Sequence, residues 1–259
     1  MKSLEISPDF QPIWQQEGGF EALWHIEGKL YRQVQSRRTL RFVRAGRSFF
    51  IKIHGGVGWA EIFKNLLSFR KPVLSAENEY RAIHHLNAVG VATPKLAAYA
   101  KTGINPAGLR SLIVTEDLGD SISLEDLCRD WRTSPPDFRT KLALIAEVAD
   151  ISRRMHESGA NHRDFYLCHF LRRRADDRLY LIDLHRAQIR DKLPLRWRIK
   201  DLAGLYFSAM DIGLTQRDLL RFIRLYRQHP LKKTLREESG LWAAVARKAR
   251  RLYEQPIRG

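Results

Sequence analysis

Cysteine is scarce in this chain: Cys128 and Cys168 are the two among 259 residues. One disulfide is arithmetically open, but so low a count does not describe a stapled secreted scaffold, and both read as reduced thiols of a cytoplasmic protein. Long apolar runs are missing too; no stretch approaches the ~18 uninterrupted apolar residues a membrane span requires. The start, MKSLEISPDFQPIW, carries neither an apolar segment of signal-peptide length nor a small-residue cleavage site. With 16 Gly and 10 Pro against 44% hydrophobic residues, the chain is neither low-complexity nor disordered, and it can bury a substantial core. These absences leave a soluble protein, or one that rests on the surface of a membrane.

Acid is in short supply as well. Asp+Glu number 29 against 45 Lys+Arg, a net charge of +16. Such a field attracts polyanions. Nucleic acid, an anionic membrane face, a phosphorylated glycolipid and an acidic carrier or helper protein are the partner classes it admits. The basic residues run through the whole chain, densest at Arg172-Arg173-Arg174 and in RKARR at 247–251. Neither a zinc-finger spacing nor an RNA-recognition signature accompanies them, which sets nucleic acid aside.

The first half reads as strands with one or two helices. TLRFVR and SFFIKI are strand-like runs separated by Ala45-Gly46-Arg47, the punctuation of a tight hairpin. Trp59, Ile62, Phe63, Leu66 and Leu67 recur at helical spacing, as do Tyr80, Ile83, His84 and Leu86 in a second helix from about Ala76. Residues 94–100 and 111–115 read as further strands. From Ser123 the pattern turns helical. SLEDLCRDW opens on a capping box, Ser123 with Asp126. A long helix follows, with prolines at its start, Gly159 at its end, and a stripe of Phe138, Leu142, Ile145, Val148, Ala149, Ile151 and Met155. RLYLIDLH is a short strand, and the remainder is helical. The expectation is an α+β, bilobal chain: residues 1–118 a small β-rich lobe, residues 119–259 a larger helical one.

Phosphoryl transfer from a nucleotide needs a cation on the phosphates, a carboxylate for magnesium and a second carboxylate to orient the attacking hydroxyl. Lys52 sits in FFIKI, where burial without an anionic partner would be costly; the other reading has it pointing from an open sheet face. Glu79 offers the partner. Glu77 is a rival, but the two differ by about 200° around a helix, so only one can face the lysine, and Glu79 borders the apolar side more closely. Read alone, Glu79 is a solvated helix charge. Asp164 follows the long helix in a loop, NHRDFYLCHFL, and Asp183 closes the strand in LIDLH, a place packing does not explain. Each aspartate alone has a structural reading; the ordered Lys, Glu, Asp, Asp set points to phosphoryl transfer.

HRD at 162–164, the strand lysine of FIKI and the aspartate of LIDL resemble the protein-kinase signature set. The resemblance implies Asp164 as the catalytic carboxylate, Asp183 on the metal and Lys52 with Glu79 on the phosphates. It also implies Glu116 to Leu118 as the hinge that hydrogen-bonds adenine through its backbone, and Asp201 of IKDLAGL as a brace for the loop of His162 and Arg163. More specifically, SRRTLRF, IFKNLLSFRKPVL, ISLEDLC, NHRDFYLCHFL, IDLHRAQIR and RWRIKDLAGLYFSAMDIGLTQRDL resemble the lipopolysaccharide core heptose(I) kinase family of Gram-negative bacteria. These segments span most of residues 36–222. The family implies a cytoplasmic enzyme, peripheral to the inner membrane at most, that uses ATP and Mg²⁺ to phosphorylate the first heptose of the inner core, at its 4-hydroxyl.

Two departures from the protein-kinase pattern stand out. His169 occupies the place of the second metal-binding residue; imidazole is a poor magnesium ligand, and a hydrogen bond to Asp164, a phosphate contact or plain packing are its other readings. No G-x-G-x-x-G covers the phosphates, and RAGRS supplies one glycine, leaving Arg44 or Arg47 to assist. Asp183-Leu184-His185 stands where DFG would be, and no clear APE follows, which argues against a protein-substrate kinase. Two alternatives stay open: a protein, antibiotic or choline-type kinase on the same fold, and a non-catalytic kinase-like protein that binds an anionic partner.

Overall fold

A computed structural model describes residues 3–34, 36–56, 58–59 and 75–255. Apart from Trp59, the helix expected through Leu67 lies outside the described residues. Contacts divide the chain into two units, Met1–His84 with Pro94–Gly119, and His85–Thr93 with Asp120–Gly259.

The first unit is built on six antiparallel strands: β1 (Ser3–Ile6), β2 (Lys29–Val34), β3 (Arg37–Arg44), β4 (Arg47–His54), β5 (Leu96–Thr102) and β6 (Arg110–Glu116), in the order β1-β5-β6-β4-β3-β2. The expected hairpin is the β3–β4 turn. Arg44 pairs with Arg47 across the two-residue link Ala45-Gly46, whose φ angles of +49° and +72° match the twist of the flanking strands. Alternation along β4 sends Phe49, Ile51 and Ile53 into the core and leaves Phe50 and Lys52 on the opposite face. Against that apolar face pack α1 (Gln11–Glu17) and α2 (Phe20–Trp24), contributing Ile13, Trp14, Phe20 and Leu23, with Phe10 just before α1. The sequence pattern did not announce these helices. Each spans two turns or fewer, too short for a period of 3.6 to show, and Gly18-Gly19, both at positive φ, separates them. The helix expected from Ala76 is α3 (Glu77–Ala88).

The second unit is mainly helical: α4 (Leu124–Leu127), α5 (Phe138–Glu157), α6 (Leu195–Ser208), α7 (Gln216–Arg227), α8 (Leu231–Glu237) and α9 (Ser239–Glu254). The Ser123 hydroxyl caps α4 by accepting the Asp126 N–H, and Asp137 caps α5 through the N–H groups of Arg139 and Thr140. On α5, Ile145, Val148, Ala149, Ile151 and Met155 are buried as expected, but Leu142 is only half-buried and Phe138 is not buried. Phe138 is 54% exposed and meets α7 through a cation rather than an apolar side chain, the Arg221 guanidinium lying 4.8 Å from its ring centre. Ala149, Leu202, Tyr226, Leu241 and Val245 knit α5, α6, α7 and α9 into one core. Small strands complete the unit: β7 (Ser121–Ser123), β9 (Phe170–Arg173) and β10 (Arg178–Leu181) form one sheet, β8 (Ala160–Asn161) and β11 (Gln188–Ile189) another. An apolar cavity of about 220 Å³ opens within this unit, lined by Ile145, Val148, Leu205, Phe222 and Trp242 among others. No helix among the described residues is long and apolar enough to cross a membrane.

Candidate active site

In the first unit the β4 alternation that buries Ile51 and Ile53 forces Lys52 to the other face, and its Nζ lies 2.8 Å from Glu79 Oε1 on α3. Glu79 is 5% exposed. Glu77 turns away and pairs instead with Lys101 on β5, as the helical angle between the two acids demands. Farther along, the Glu116 carboxylate pairs with Arg47 at 2.7 Å and Lys95 at 3.2 Å, while Arg44 pairs with Glu17 at 2.7 Å. Both arginines next to the single-glycine turn are thus held by acids of their own unit. The Asp117 carboxylate accepts hydrogen bonds from Arg41 Nε (2.6 Å), the Ser48 hydroxyl and the Gly119 N–H (both 2.9 Å). Burial would raise this carboxyl, but those three donors and the Arg41 charge hold it below its ordinary value. Between these anchored residues, Leu118 has no hydrogen-bond partner for its backbone N–H or C=O among the described residues.

In the second unit α5 ends at Gly159, which takes φ +83° and lies so close to Arg190 that a Cβ there would sit 1.7 Å from its carbonyl oxygen. That turn feeds β8 and then His162, Arg163 and Asp164. Asp201 on α6, 1% exposed, accepts the His162 N–H at 2.6 Å and the Arg163 N–H at 2.9 Å. The two bonds hold Arg163 at φ +76°, a left-handed conformation an arginine does not adopt unaided. The loop also presses on α6 at Gly204, where a Cβ would stand 3.0 Å from the Phe165 carbonyl oxygen. His162 is fully buried. Its Nε2–H donates to the Ile182 carbonyl at 2.9 Å, and burial pushes its pKa down, so the ring is neutral.

Asp164 is half-buried, and both its carboxylate oxygens accept from Arg186, at 2.7 and 3.0 Å. His169 Nδ1 lies 2.6 Å from the Asp164 carbonyl oxygen. A carbonyl only accepts, so Nδ1 carries the proton and Nε2 is left facing Asp183 Oδ2 at 3.7 Å. Asp183 stands just past β10 in a left-handed conformation (φ +59°), its Oδ1 accepting from His185 Nδ1 at 2.7 Å. The structure therefore joins Lys52 to Glu79, Asp201 to the His162–Arg163 backbone, and His169 to both Asp164 and Asp183. Cys168, beside this loop, is half-buried, and burial pushes its thiol up to about 11, which makes it a poor nucleophile.

Three supporting residues escaped the sequence pattern. Asp117 anchors the segment after β6 and reads there as one more loop acid. Arg186 holds Asp164 from three residues beyond Asp183, where no spacing rule flags it. His156 lies on the buried face of α5 among apolar neighbours, its Nε2 3.5 Å from Asp201 Oδ2 and its Nδ1 2.9 Å from the Tyr226 hydroxyl. A lone histidine in an apolar helical stripe is the one signal that could have found it.

The family model of the lipopolysaccharide kinases (Kdo/WaaP) matches residues 21–226. The chain belongs to that family. The lipopolysaccharide core heptose(I) kinase WaaP of Pseudomonas aeruginosa is 51% identical over 261 residues, covering 98% of this chain and 97% of that protein. The protein of the same description from Escherichia coli K12 is 48% identical over 261 residues, covering 98% of each. Among solved structures, WaaP in complex with acyl carrier protein matches with a TM-score of 0.83 at 46% identity, over 97% of this chain and all of that one. Membership of the Kdo/WaaP family makes the protein an ATP-using phosphotransferase, and its fold is the one seen in the solved WaaP structure.

Proposed function

We propose that the protein transfers the γ-phosphate of ATP to the first heptose of the lipopolysaccharide inner core, at the 4-hydroxyl. One observation carries the chemistry: a carboxylate, Asp164, presented by a loop that the buried Asp201 pins through two backbone N–H groups. The acceptor class follows from near-half identity, over essentially the full length, to heptose(I) kinases. In this reading Asp164 accepts a hydrogen bond from the attacking hydroxyl and takes its proton as the bond to phosphorus forms. Arg186 must yield part of its hold on Asp164 for that to happen, and its guanidinium is then placed to neutralise charge on the transferring phosphoryl group.

The residues from 1 to 118 would form the nucleotide lobe. Lys52, oriented by Glu79, grips the α- and β-phosphates, and the unpartnered backbone of Leu118, with Glu116 beside it, meets the adenine edge. Residues 119–259 would carry the acceptor chemistry, with His162, Arg163 and Asp201 supporting the loop. Magnesium suits the donor set: it needs one or two carboxylates and fills its other positions from phosphate and water. Asp183 supplies the hard oxygen. No group of three His, Cys, Asp or Glu side chains among the described residues would cage a metal by itself. His169 Nε2 is at most an auxiliary ligand, and the bound ion would neutralise charge on the β- and γ-phosphates.

The partner proposed beyond the acceptor glycolipid is an acidic acyl carrier protein, attracted by the +16 charge. The 220 Å³ apolar cavity is a place for the acyl chain such a carrier bears. The same charge would hold the enzyme at the anionic cytoplasmic leaflet of the inner membrane. The test is phosphorus NMR of inner-core oligosaccharide incubated with the protein and Mg-ATP. A new phosphomonoester on the first heptose, absent with Asp164→Ala, is expected. Phosphate on another sugar, or equal transfer by Asp164→Ala, refutes the assignment.

A further inference from the structure

A group of cationic side chains gathers around Trp197; of these residues only Arg163 enters the chemistry above, and there through its backbone N–H. Helix α6 begins at Leu195 with no side-chain cap and no acid in its first turn. Arg196 and Arg198 stand there instead, with Lys200 in the next turn, although positive charge opposes the positive end of the helix dipole. The guanidinium carbons of Arg163, Arg190 and Arg196 lie 5.3, 5.5 and 5.4 Å from the centre of the Trp197 ring, and Lys200 Nζ lies 5.8 Å from it. Arg190 donates only to neutral acceptors, Asn161 Oδ1 at 2.8 Å and Gln188 Oε1. Among the described residues no carboxylate lies within ion-pair reach of Arg163, Arg196 or Lys200. Trp197 Nε1 and Arg163 Nε are buried N–H groups without a hydrogen-bond partner. Burial, then the neighbouring charges of Arg163 and Arg186, push the Lys200 ammonium down; burial, then Arg186, does the same to Arg163. Asp164 and Asp201 offset only part of this repulsion, and Asp164 is already engaged by Arg186.

Arg163, Arg190 and Lys200 are half-buried, the exposed Arg196 adds a fourth charge beside them, and two buried N–H groups lie idle; such a cluster is favoured when an anion completes it. Their position says which one. Arg163 is the residue before Asp164, so an acceptor whose hydroxyl reaches Asp164 lays its neighbouring groups towards Trp197. Forked guanidinium donors match the planar geometry of a carboxylate. We propose that Arg163, Arg190, Arg196, Lys200 and the Trp197 N–H form an acceptor subsite for the carboxylate of an acidic sugar next to the one phosphorylated. The inference rests on the sugar-kinase reading and adds to it the group by which the acceptor is recognised. The subsite would make the enzyme prefer a heptose joined to sugar acids over a free or neutral heptoside.

The test couples enzyme and acceptor. Lys200→Gln and Arg196→Gln, singly and together, would be assayed with inner-core oligosaccharide, native or with its sugar carboxylates converted to methyl esters and its phosphates intact. With native acceptor each variant should raise the acceptor KM about tenfold, the loss of one charge-assisted hydrogen bond, with KM for ATP and Tm unchanged. Esterification should raise the wild-type KM similarly, and on the esterified acceptor variants and wild type should agree within about twofold. Equal losses on both acceptors would assign the cations to a phosphate or to structure and overturn the subsite, as would no loss on either. Should Lys200→Gln not fold, the exposed Arg196→Gln decides by the same comparison. Wild-type turnover without this coupling refutes the subsite alone, whereas no wild-type turnover of native oligosaccharide refutes the sugar-kinase reading with it.

Discussion

Replacing Asp201 with Asn probes the support of the Asp164 loop with little change of volume. The native carboxylate receives two buried N–H groups, one on each oxygen, at 2.6 and 2.9 Å. An amide has one accepting oxygen. One bond therefore falls from charge-assisted to neutral, and the other becomes N–H facing N–H₂. A charge-assisted bond contributes about 1.5–3 kcal/mol and a neutral one about 0.5–1.5, so the substitution should cost roughly 2–4 kcal/mol. For a folding unit of this size that is a fall in Tm of roughly 5–15 °C. The clamp also holds Arg163 at φ +76°, and releasing it lets Asp164 wander; a displacement of about 1 Å lowers kcat by about 100-fold. KM for ATP should stay near wild type, because Lys52 and Glu79 belong to the other unit. Calorimetry and steady-state kinetics on Asp201→Asn check both limbs. A variant with wild-type Tm and kcat would refute the argument that these two bonds position the loop.

Glu79→Gln should raise KM for ATP by about tenfold through loss of the Lys52 orienting charge, whereas Glu77→Gln, whose carboxylate serves Lys101, should change it less than twofold; equal effects would remove Glu79 from its place. Asp218 gives a pH signature. Burial alone would raise its carboxyl, but the Thr215 N–H and hydroxyl at 3.0 and 2.8 Å, with Lys141 and Arg221, hold it at about 2. A carboxyl depressed on folding adds stability that is full above the unfolded value near 4 and lost as pH falls towards 2, on the order of 2 kcal/mol. Urea unfolding of wild type and Asp218→Asn should differ most at neutral pH and converge between pH 4 and 2; a difference that does not change with pH would refute the assignment.

Much of this protein could be read from its sequence where the signal is local. The β3–β4 hairpin follows from two strand runs around Ala45-Gly46, and α5 from its apolar period between Asp137 and Gly159. The pairing of Lys52 with Glu79 over Glu77 follows from 100° per residue around a helix and from which side of that helix is apolar. Where elements are short the reading failed: α1 and α2 put Ile13, Trp14, Phe20 and Leu23 into the core of the sheet unit, yet neither is long enough to display a period. Phe138 was assigned to the core because it fits the α5 stripe, and only packing showed that the buried face begins at Leu144.

The sequence by itself determined the chemistry on offer: a strand lysine, a helix glutamate, aspartates at 164, 183 and 201, and a surplus of positive charge, because residue identity and local period do not depend on distant contacts. Tertiary structure alone decided who holds whom. Arg186 on Asp164, His156 beside Asp201 and Arg163 over Trp197 are meetings across 22 to 45 residues of chain, while Arg190, Arg196 and Lys200 reach the same ring from nearby positions. No periodicity encodes such meetings, since they arise when buried backbone and charge must each find a partner as the helices close on one another.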